Sequence, residues 1–445
     1  MSEFVMPQTG ASRQDIVANW QPENQEFWEK FGKKISKENL IVSTAALTLS
    51  FCVWYIWSTV APQLNAAGFK FTTEELFTLA AIPGLVGATL RFLYTYMPAL
   101  CGGKNWTFIS TLILLIPIIG LGFAVQDTST SYTTFLILTV LIGVAGGNFS
   151  SSMAYIGNFY PKAEKGTALG INGGIGNLGV AIILLLAPMA MASSTLGNIF
   201  GVEPYMIKGA ELFLANGSFV LVIPTVIILL LILKYMVNLP LDKPNPKAIA
   251  TIMGSKHTWA ITLIYTCGFG AFSGYAAALS LLVSKEFPDI PFTYMAFLGP
   301  LVSATLRPVG GWLGDKINSG TKVTYYALIG LIISTALIAV GIDLHNFVFF
   351  FIATVITFVM TGLMTGATFR MIPHIFTNAL QGSLVTGFVA AVAAYGAFVT
   401  PKLFGFIYST FGNIHPAFAM LLGFNILTLV VLYWFYARKN SGIKC

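Results

Sequence analysis

Arg91 and Arg307 each stand inside an apolar run, AIPGLVGATLRFLYTYM and FLGPLVSATLRPVGGWL, in which no residue carries negative charge. A guanidinium keeps its proton throughout the biological pH range, and burying one in hydrocarbon costs at least roughly 2.5 to 3.5 kcal/mol on insertion scales. A lone arginine can snorkel to an interface or lean on backbone carbonyls. Two arginines in matching sequence point further: LVGATLR at 85–91 recurs as LVSATLR at 301–307, an offset of 307 − 91 = 216 residues. The chemistry expected of such a pair is a cationic site for an anion supplied from outside, held by charge-assisted hydrogen bonds.

The elements that carry these arginines are membrane helices. Hydrophobic residues make up 56% of the 445-residue chain and charged residues 9%, with a mean hydropathy of +0.78, against about 25% charge in soluble domains. Apolar runs long enough to cross a bilayer, about 20 residues each, lie near 40–62, 75–100, 105–125, 132–158, 166–192 and 210–236. Six more lie near 257–284, 292–312, 322–342, 346–374, 382–408 and 414–437. The expected fold is an all-α integral membrane protein, twelve transmembrane helices in two pseudo-symmetric six-helix bundles, because helices satisfy their own backbone groups in lipid.

The expected divisions are a cytoplasmic N-terminal segment at 1–38, a first bundle at 39–236, a cytoplasmic linker at 237–256, a second bundle at 257–438 and a cytoplasmic tail at 439–445. The linker reads VNLPLDKPNPKAI, a proline-punctuated basic stretch. Trp20, Phe27, Trp28 and Phe31 among lysines and glutamates suit a helix lying in the headgroup region, or equally a partly disordered tail. No secretory signal pattern precedes the first span.

The net charge of +7 reports topology rather than a nucleic-acid partner. With both termini inside, Lys30, Lys33, Lys34, Lys37, Lys104, Lys162, Lys165, Lys243, Lys247, Lys256, Lys316, Lys322, Arg438 and Lys439 fall on the cytoplasmic side. Lys70, Lys208, Lys285 and Lys402 fall opposite. That asymmetry is the positive-inside pattern of a multi-pass protein of the cytoplasmic membrane. Arg370 reads as an interface anchor near the cytoplasmic end of the tenth span.

The fifth span reads KGTALGINGGIGNLGV over 165–180, with glycines at 166, 170, 173, 174, 176 and 179. Close helix packing explains part of the run, Gly166, Gly170 and Gly174 among it. Asn172 and Asn177 are buried amides that need partners, and Asn177 lies one turn from Gly173, so an anion there meets bare backbone and an amide donor together. The acids and histidines give a negative result. Every one of the seventeen acids falls in a tail, loop or helix end, and His257, His345, His374 and His415 lie at or near helix ends. No proton relay, metal cluster or nucleophile–base pair is legible, so neither a cofactor nor an enzyme is expected. The cysteines at 52, 101, 267 and 445 form no disulfide framework.

GWLGDK at 311–316 resembles the loop after the eighth helix of the major facilitator superfamily, with Asp315 and Lys316 as a conformational latch; the loop after the second span, ALCGGKNW, lacks the acid. NFSSSMAYI at 148–156, FYP at 159–161 and ALGINGGIGNLG at 168–179 resemble the nitrate/nitrite porters of the NarK type within that superfamily. WQPEN at 20–24, FCVW at 51–54, GFAVQDTST at 122–130 and TPKLFG at 400–405 extend the resemblance. The resemblance implies an anion held between Arg91 and Arg307, in a pocket completed by Asn177, Tyr265, Phe51, Phe149 and Phe269 and by the backbone of Gly146 and Gly173. GFVAAVAAYGAFVTP at 387–401 departs from the family's second glycine-rich signature, with alanine at 393 and 397 and Tyr395 between them.

The function expected is exchange of nitrate and nitrite across the cytoplasmic membrane by alternating access, with the two anions and the bilayer as partners. Nitrate/proton symport on the same fold is the alternative, and a membrane anion sensor without flux is a third. Nothing in the sequence fixes an oligomeric state.

Overall fold

The computed structural model describes residues 12–207, 209–241, 247–438, 441, 443 and 445. Lys208, Lys243 and Lys439, expected on opposite faces of the membrane, lie outside the described residues, and so does part of the linker and tail.

Among the described residues, eleven helical spans are long and apolar enough to cross a membrane. They are span 1 (Gln25–Leu64), span 2 (Thr73–Tyr94), span 3 (Gly103–Ala124), span 4 (Tyr132–Ile156), span 5 (Lys162–Met191) and span 6 (Asn216–Tyr235). The rest are span 7 (Lys256–Glu286), span 9 (Gly320–Asp343), span 10 (Phe347–Ile375), span 11 (Gln381–Phe411) and span 12 (His415–Ala437). Span 8 (Leu298–Lys316) completes twelve. Its 19 residues carry Arg307, Asp315 and Lys316, so its own composition is the least apolar of the set. A small hairpin, β1 (Tyr205–Ile207) antiparallel to β2 (Ala210–Leu212), stands between spans 5 and 6.

Of the interrupted spans, three bear on the centre. Span 1 breaks between Trp54 and Trp57, span 7 carries a π-turn at Thr266–Gly270, and span 11 breaks between Ala393 and Gly396. Irregular backbone is tolerated at membrane depth only where protein covers it or a cavity is lined by it. All three interruptions meet this condition: Tyr55, Phe269 and Ala394 are 2%, 3% and 0% exposed.

The two arginine helices cross their neighbours in the same way. In the first bundle a methyl at Gly87 would lie 2.9 Å from Gly146 Cα; in the second, one at Gly362 would lie 2.5 Å from Ser303 O. These positions are related by the repeat, 303 − 87 = 216 and 362 − 146 = 216. Small residues at both crossings bring the backbones together in the absence of any hydrophobic drive between helices in lipid.

The aromatic residues at the start of span 1, and Trp20 before it, pack on protein. Phe27 is fully buried, Trp28 Nε1 donates to Glu164 at 3.0 Å, and the Lys162 N–H donates to Glu23 Oε1 at 2.9 Å, so this stretch caps the start of span 5. Trp20 and Trp28 meet Phe159 and Tyr160 edge-on at 5.4 and 5.6 Å. The apolar positions that suggested a lipid-facing helix are taken by this protein contact.

The first and last described segments lie on one face, here the termini face: Arg13 reaches the end of span 6 at Tyr235 O, and Cys445 the start of span 9 at Ser319 and Thr321. From the level of the arginines to the far face the bundles are joined: Tyr55 Oη donates to Ser273 O at 3.4 Å, Ser58 Oγ to Ala277 O at 3.3 Å, and Gly84 lies against the backbone of Ala397 and Phe398. On the termini side, Gly166, Gly170 and Gly174 of span 5 face open space. This corrects the expectation that they serve close packing in this arrangement. Gly176 and Gly179 do so instead, against Leu47 and against Thr48 and Phe51.

Candidate functional site

Arg91 and Arg307 are delivered to the centre by spans 2 and 8. Arg91 is 1% exposed. Its Nε donates to Gly146 O at 3.1 Å and its Nη1 to Ala390 O at 2.7 Å. The guanidinium carbon lies 4.7 Å from the Phe149 ring centre, 5.2 Å from Trp54 and 5.8 Å from Phe269. Arg307 Nη2 donates to Tyr265 Oη, and its guanidinium carbon lies 4.9 Å from Phe369, 5.6 Å from Phe269 and 5.7 Å from Tyr265. Phe269 is therefore shared by both guanidiniums. Each such ring contact is worth about 0.5 to 2 kcal/mol, more when dry, and together with the carbonyl bonds of Arg91 and the Tyr265 bond of Arg307 they hold two buried charges without a carboxylate partner among the described residues.

Tyr265 is sandwiched between Phe369 and Phe269, with centroids 4.5 and 5.7 Å away and planes within 10° and 7°. The π-turn at Thr266–Gly270 sits between Tyr265 and the following helix and sets the offset that stacks Tyr265 on Phe269. Phe51 touches the cluster through Phe149 at 6.2 Å and Trp54 at 5.6 Å, both edge-on. Gly146 is required by its surroundings, since a methyl there would lie 2.6 Å from Trp54 Cε2 and 2.8 Å from Gly87 Cα.

The structure thus brings together Arg91, Arg307, Tyr265, Phe269, Phe149, Phe51 and Gly146. Gly173 borders the group: a methyl on it would meet the Phe149 ring at 3.5 Å. Asn177 Nδ2 donates to Gly173 O at 2.7 Å, so one of its two amide N–H groups is engaged by its own helix, and the amide oxygen is left buried without a partner. Asn172 is spent inside the first bundle, between Ser152 Oγ at 2.8 Å and Thr44 Oγ1 at 3.1 Å. Trp54, Phe369 and the Ala390 carbonyl were not expected. Trp54 and Phe369 stood in the sequence as part of FCVW and beside Arg370; a backbone carbonyl has no sequence signal.

Helix 11 keeps its close contact despite the alanines. Gly396 lies directly on the Gly270 backbone, so the packing glycine is displaced rather than lost. At the termini face Asp315 pairs with Arg370 Nε at 3.1 Å, and Arg370 also donates to Asn318 Oδ1 at 3.0 Å. Arg370 is thus bound within the second bundle. Lys316, the expected latch partner, lies instead over Trp312 at 5.0 Å.

The family model of the Major Facilitator Superfamily matches residues 42–383. The chain is 36% identical over 451 residues to the nitrate/nitrite transporter NarU of Salmonella typhimurium, covering 96% of this chain and 97% of that one. This chain is a nitrate/nitrite porter-family member of the major facilitator superfamily. It is also 34% identical to the probable nitrate/nitrite antiporter NarK2 of Thermus thermophilus, over 96% of this chain and 98% of the relative. The solved structure of a D-xylose-proton symporter matches with a TM-score of 0.65 at 14% identity, covering 89% of this chain and 97% of the other, which shows the superfamily fold. The porter family is the one that the resemblance in span 5 implied.

Proposed function

We propose that this porter exchanges nitrate and nitrite by alternating access, with the anion held between Arg91 and Arg307. The observation that carries the proposal is the pair of guanidiniums, one from each bundle, sharing the Phe269 ring and lacking any carboxylate partner among the described residues. Nitrate and nitrite are small planar anions whose oxygens match the guanidinium fork. An empty site leaves two permanent cations facing one poorly solvated space, which disfavours closure around nothing. An anion removes that cost in either direction, so one anion returns as the other leaves.

The termini face carries most of the cations of the described loops, Lys30, Lys33, Lys104, Lys162, Lys256 and Lys322 among them, and we assign it to the cytoplasm. Cys101, exposed at that face, should react with an impermeant maleimide only in inverted vesicles.

The deciding experiment is uptake into proteoliposomes. Nitrite-loaded vesicles should take up external nitrate, and empty vesicles should not, even under an inward proton gradient. Gradient-driven uptake into vesicles without internal anion would overturn exchange in favour of proton symport. No flux under any condition, with saturable binding retained, would favour a sensor.

A further inference from the structure

The Ala390 carbonyl is free to bind Arg91 because span 11 is broken one turn later. In a continuous α-helix it would accept the N–H of Ala394. Here that N–H turns to Ala391 O at 3.3 Å, and the Tyr395 N–H turns to Val392 O at 3.1 Å. The carbonyl released from Ala394 accepts Arg91 Nη1 at 2.7 Å, from the other bundle, with both residues buried.

The geometry of a guanidinium gives this bond a consequence. Two donor pairs can grip a planar anion side by side, Nε with Nη2 and Nη1 with Nη2. In Arg91 the Nε belongs to the Gly146 carbonyl and the Nη1 to the Ala390 carbonyl, while Nη2 is buried without a partner. Each fork therefore has one nitrogen already bonded to backbone. A bidentate anion on the Nε–Nη2 side must displace Gly146 O, and one on the Nη1–Nη2 side competes with Ala390 O for the Nη1 donors. Gly146 is pinned by Trp54 and Gly87 in the same bundle, whereas Ala390 sits across the bundle boundary, beside the break in span 11.

We propose that the Ala390 carbonyl is a built-in stand-in for the anion: it holds Arg91 in the empty carrier, ties the two bundles in this arrangement, and is displaced when nitrate or nitrite binds. The inference rests on the two-arginine site proposed above. Binding exchanges a direct tie between the bundles for one that runs through the anion to Arg307. An empty carrier that reorients must break the tie with nothing to replace it, which gives exchange a structural basis beyond charge repulsion. A competing internal ligand also lowers the apparent affinity, because only carriers with Arg91 released accept the anion.

The test is to replace the amide between Ala390 and Ala391 by an ester, introducing the α-hydroxy analogue of alanine at position 391. An ester carbonyl is a weaker acceptor. The same replacement at position 390 removes a helical N–H equally but leaves the Ala390 carbonyl an amide, and serves as the control. Relative to that control, the position-391 ester should bind nitrate roughly three- to tenfold more tightly, the range expected for weakening one such hydrogen bond. It should also leak nitrate faster into anion-free buffer. A second measurement needs no altered backbone: with Ala390 labelled 13C=18O, its infrared band should move to higher frequency when nitrate is added to the whole protein. Equal affinity and leak in the two esters, or a labelled band that ignores nitrate, would overturn the proposal. Wild-type protein with no saturable nitrate binding would overturn the two-arginine site itself, and the proposal with it.

Discussion

Lys402 Nζ lies 3.0 Å from Glu74 Oε1, and one turn further along span 2 it also reaches Thr78 Oγ1 at 3.1 Å. One side chain of span 11 thus ties the first turns of span 2 across the far face. Both partners are about 40% exposed, so the pair contributes little to stability, roughly 0 to 1 kcal/mol. Its effect falls on the balance between conformations. Glu74→Gln should leave the melting temperature nearly unchanged and raise the labelling rate of a cysteine at Ser58, buried in this state, by about two- to fivefold from the far side. An unaltered labelling rate would show that the pair does not hold the far face closed.

Lysine should not replace either arginine. Arg91→Lys and Arg307→Lys keep the charge but present a point donor where a planar anion fits a fork. Loss of about one charge-assisted bond, roughly 1.5 to 3 kcal/mol, predicts at least tenfold lower nitrate flux in each variant. Wild-type rates in either folded variant in proteoliposomes would remove that arginine from the site.

The glycines of the first bundle divide into two classes that thermal unfolding in detergent can separate. Gly170 faces open space, so Gly170→Ala should stabilise this state by up to about 1 kcal/mol through helix propensity. At Gly146 the added methyl collides with Trp54 and Gly87, and Gly146→Ala should cost about 1 to 3 kcal/mol. The reverse ranking would mean that the crossing of spans 2 and 4 is looser than described.

Asp315, Lys316 and Arg370 should differ in the same assay. Arg370 is 10% exposed in its side chain and holds both Asp315 and Asn318, so Arg370→Ala should cost about 1 to 2 kcal/mol. Asp315 is 72% exposed, and Asp315→Asn should cost less than about 1 kcal/mol. Lys316→Ala should be within about 0.5 kcal/mol of wild type, as for an exposed residue. A Lys316 variant as damaged as the Arg370 variant would restore Lys316 as the partner in the latch.

The charges of this protein are easier to read from sequence than its contacts. Arg91 and Arg307 were legible because hydrocarbon makes an unpaired charge conspicuous and because the repeat shows it twice. The spans were legible for a related reason, their length and apolarity being set by the bilayer. The role of Gly166, Gly170 and Gly174 was misread because a glycine reports only that no side chain is present; close contact and open space leave the same mark. Asn177 was offered to an anion on its spacing; in this state one of its two amide N–H groups is held by Gly173 O, an i−4 bond that sequence does not rank against a ligand. Ala390 was invisible because its contribution is a backbone carbonyl whose usual helical donor, the Ala394 N–H, turns to Ala391 O at the break in span 11.

The duplication that supplies the arginines does not supply their rings. The position 216 residues after Trp54 is Gly270, and that after Phe149 is Thr365; the position 216 before Phe269 is Val53, and that before Phe369 is Met153. Each half brings one charge of its own, while the ring common to both guanidiniums comes from the second half alone. The halves are no longer spare copies of each other. A chain built from the first half used twice would carry two guanidiniums to the centre and lack the surface they share, so the division of labour between the halves is as much a part of this protein's inheritance as the repeat.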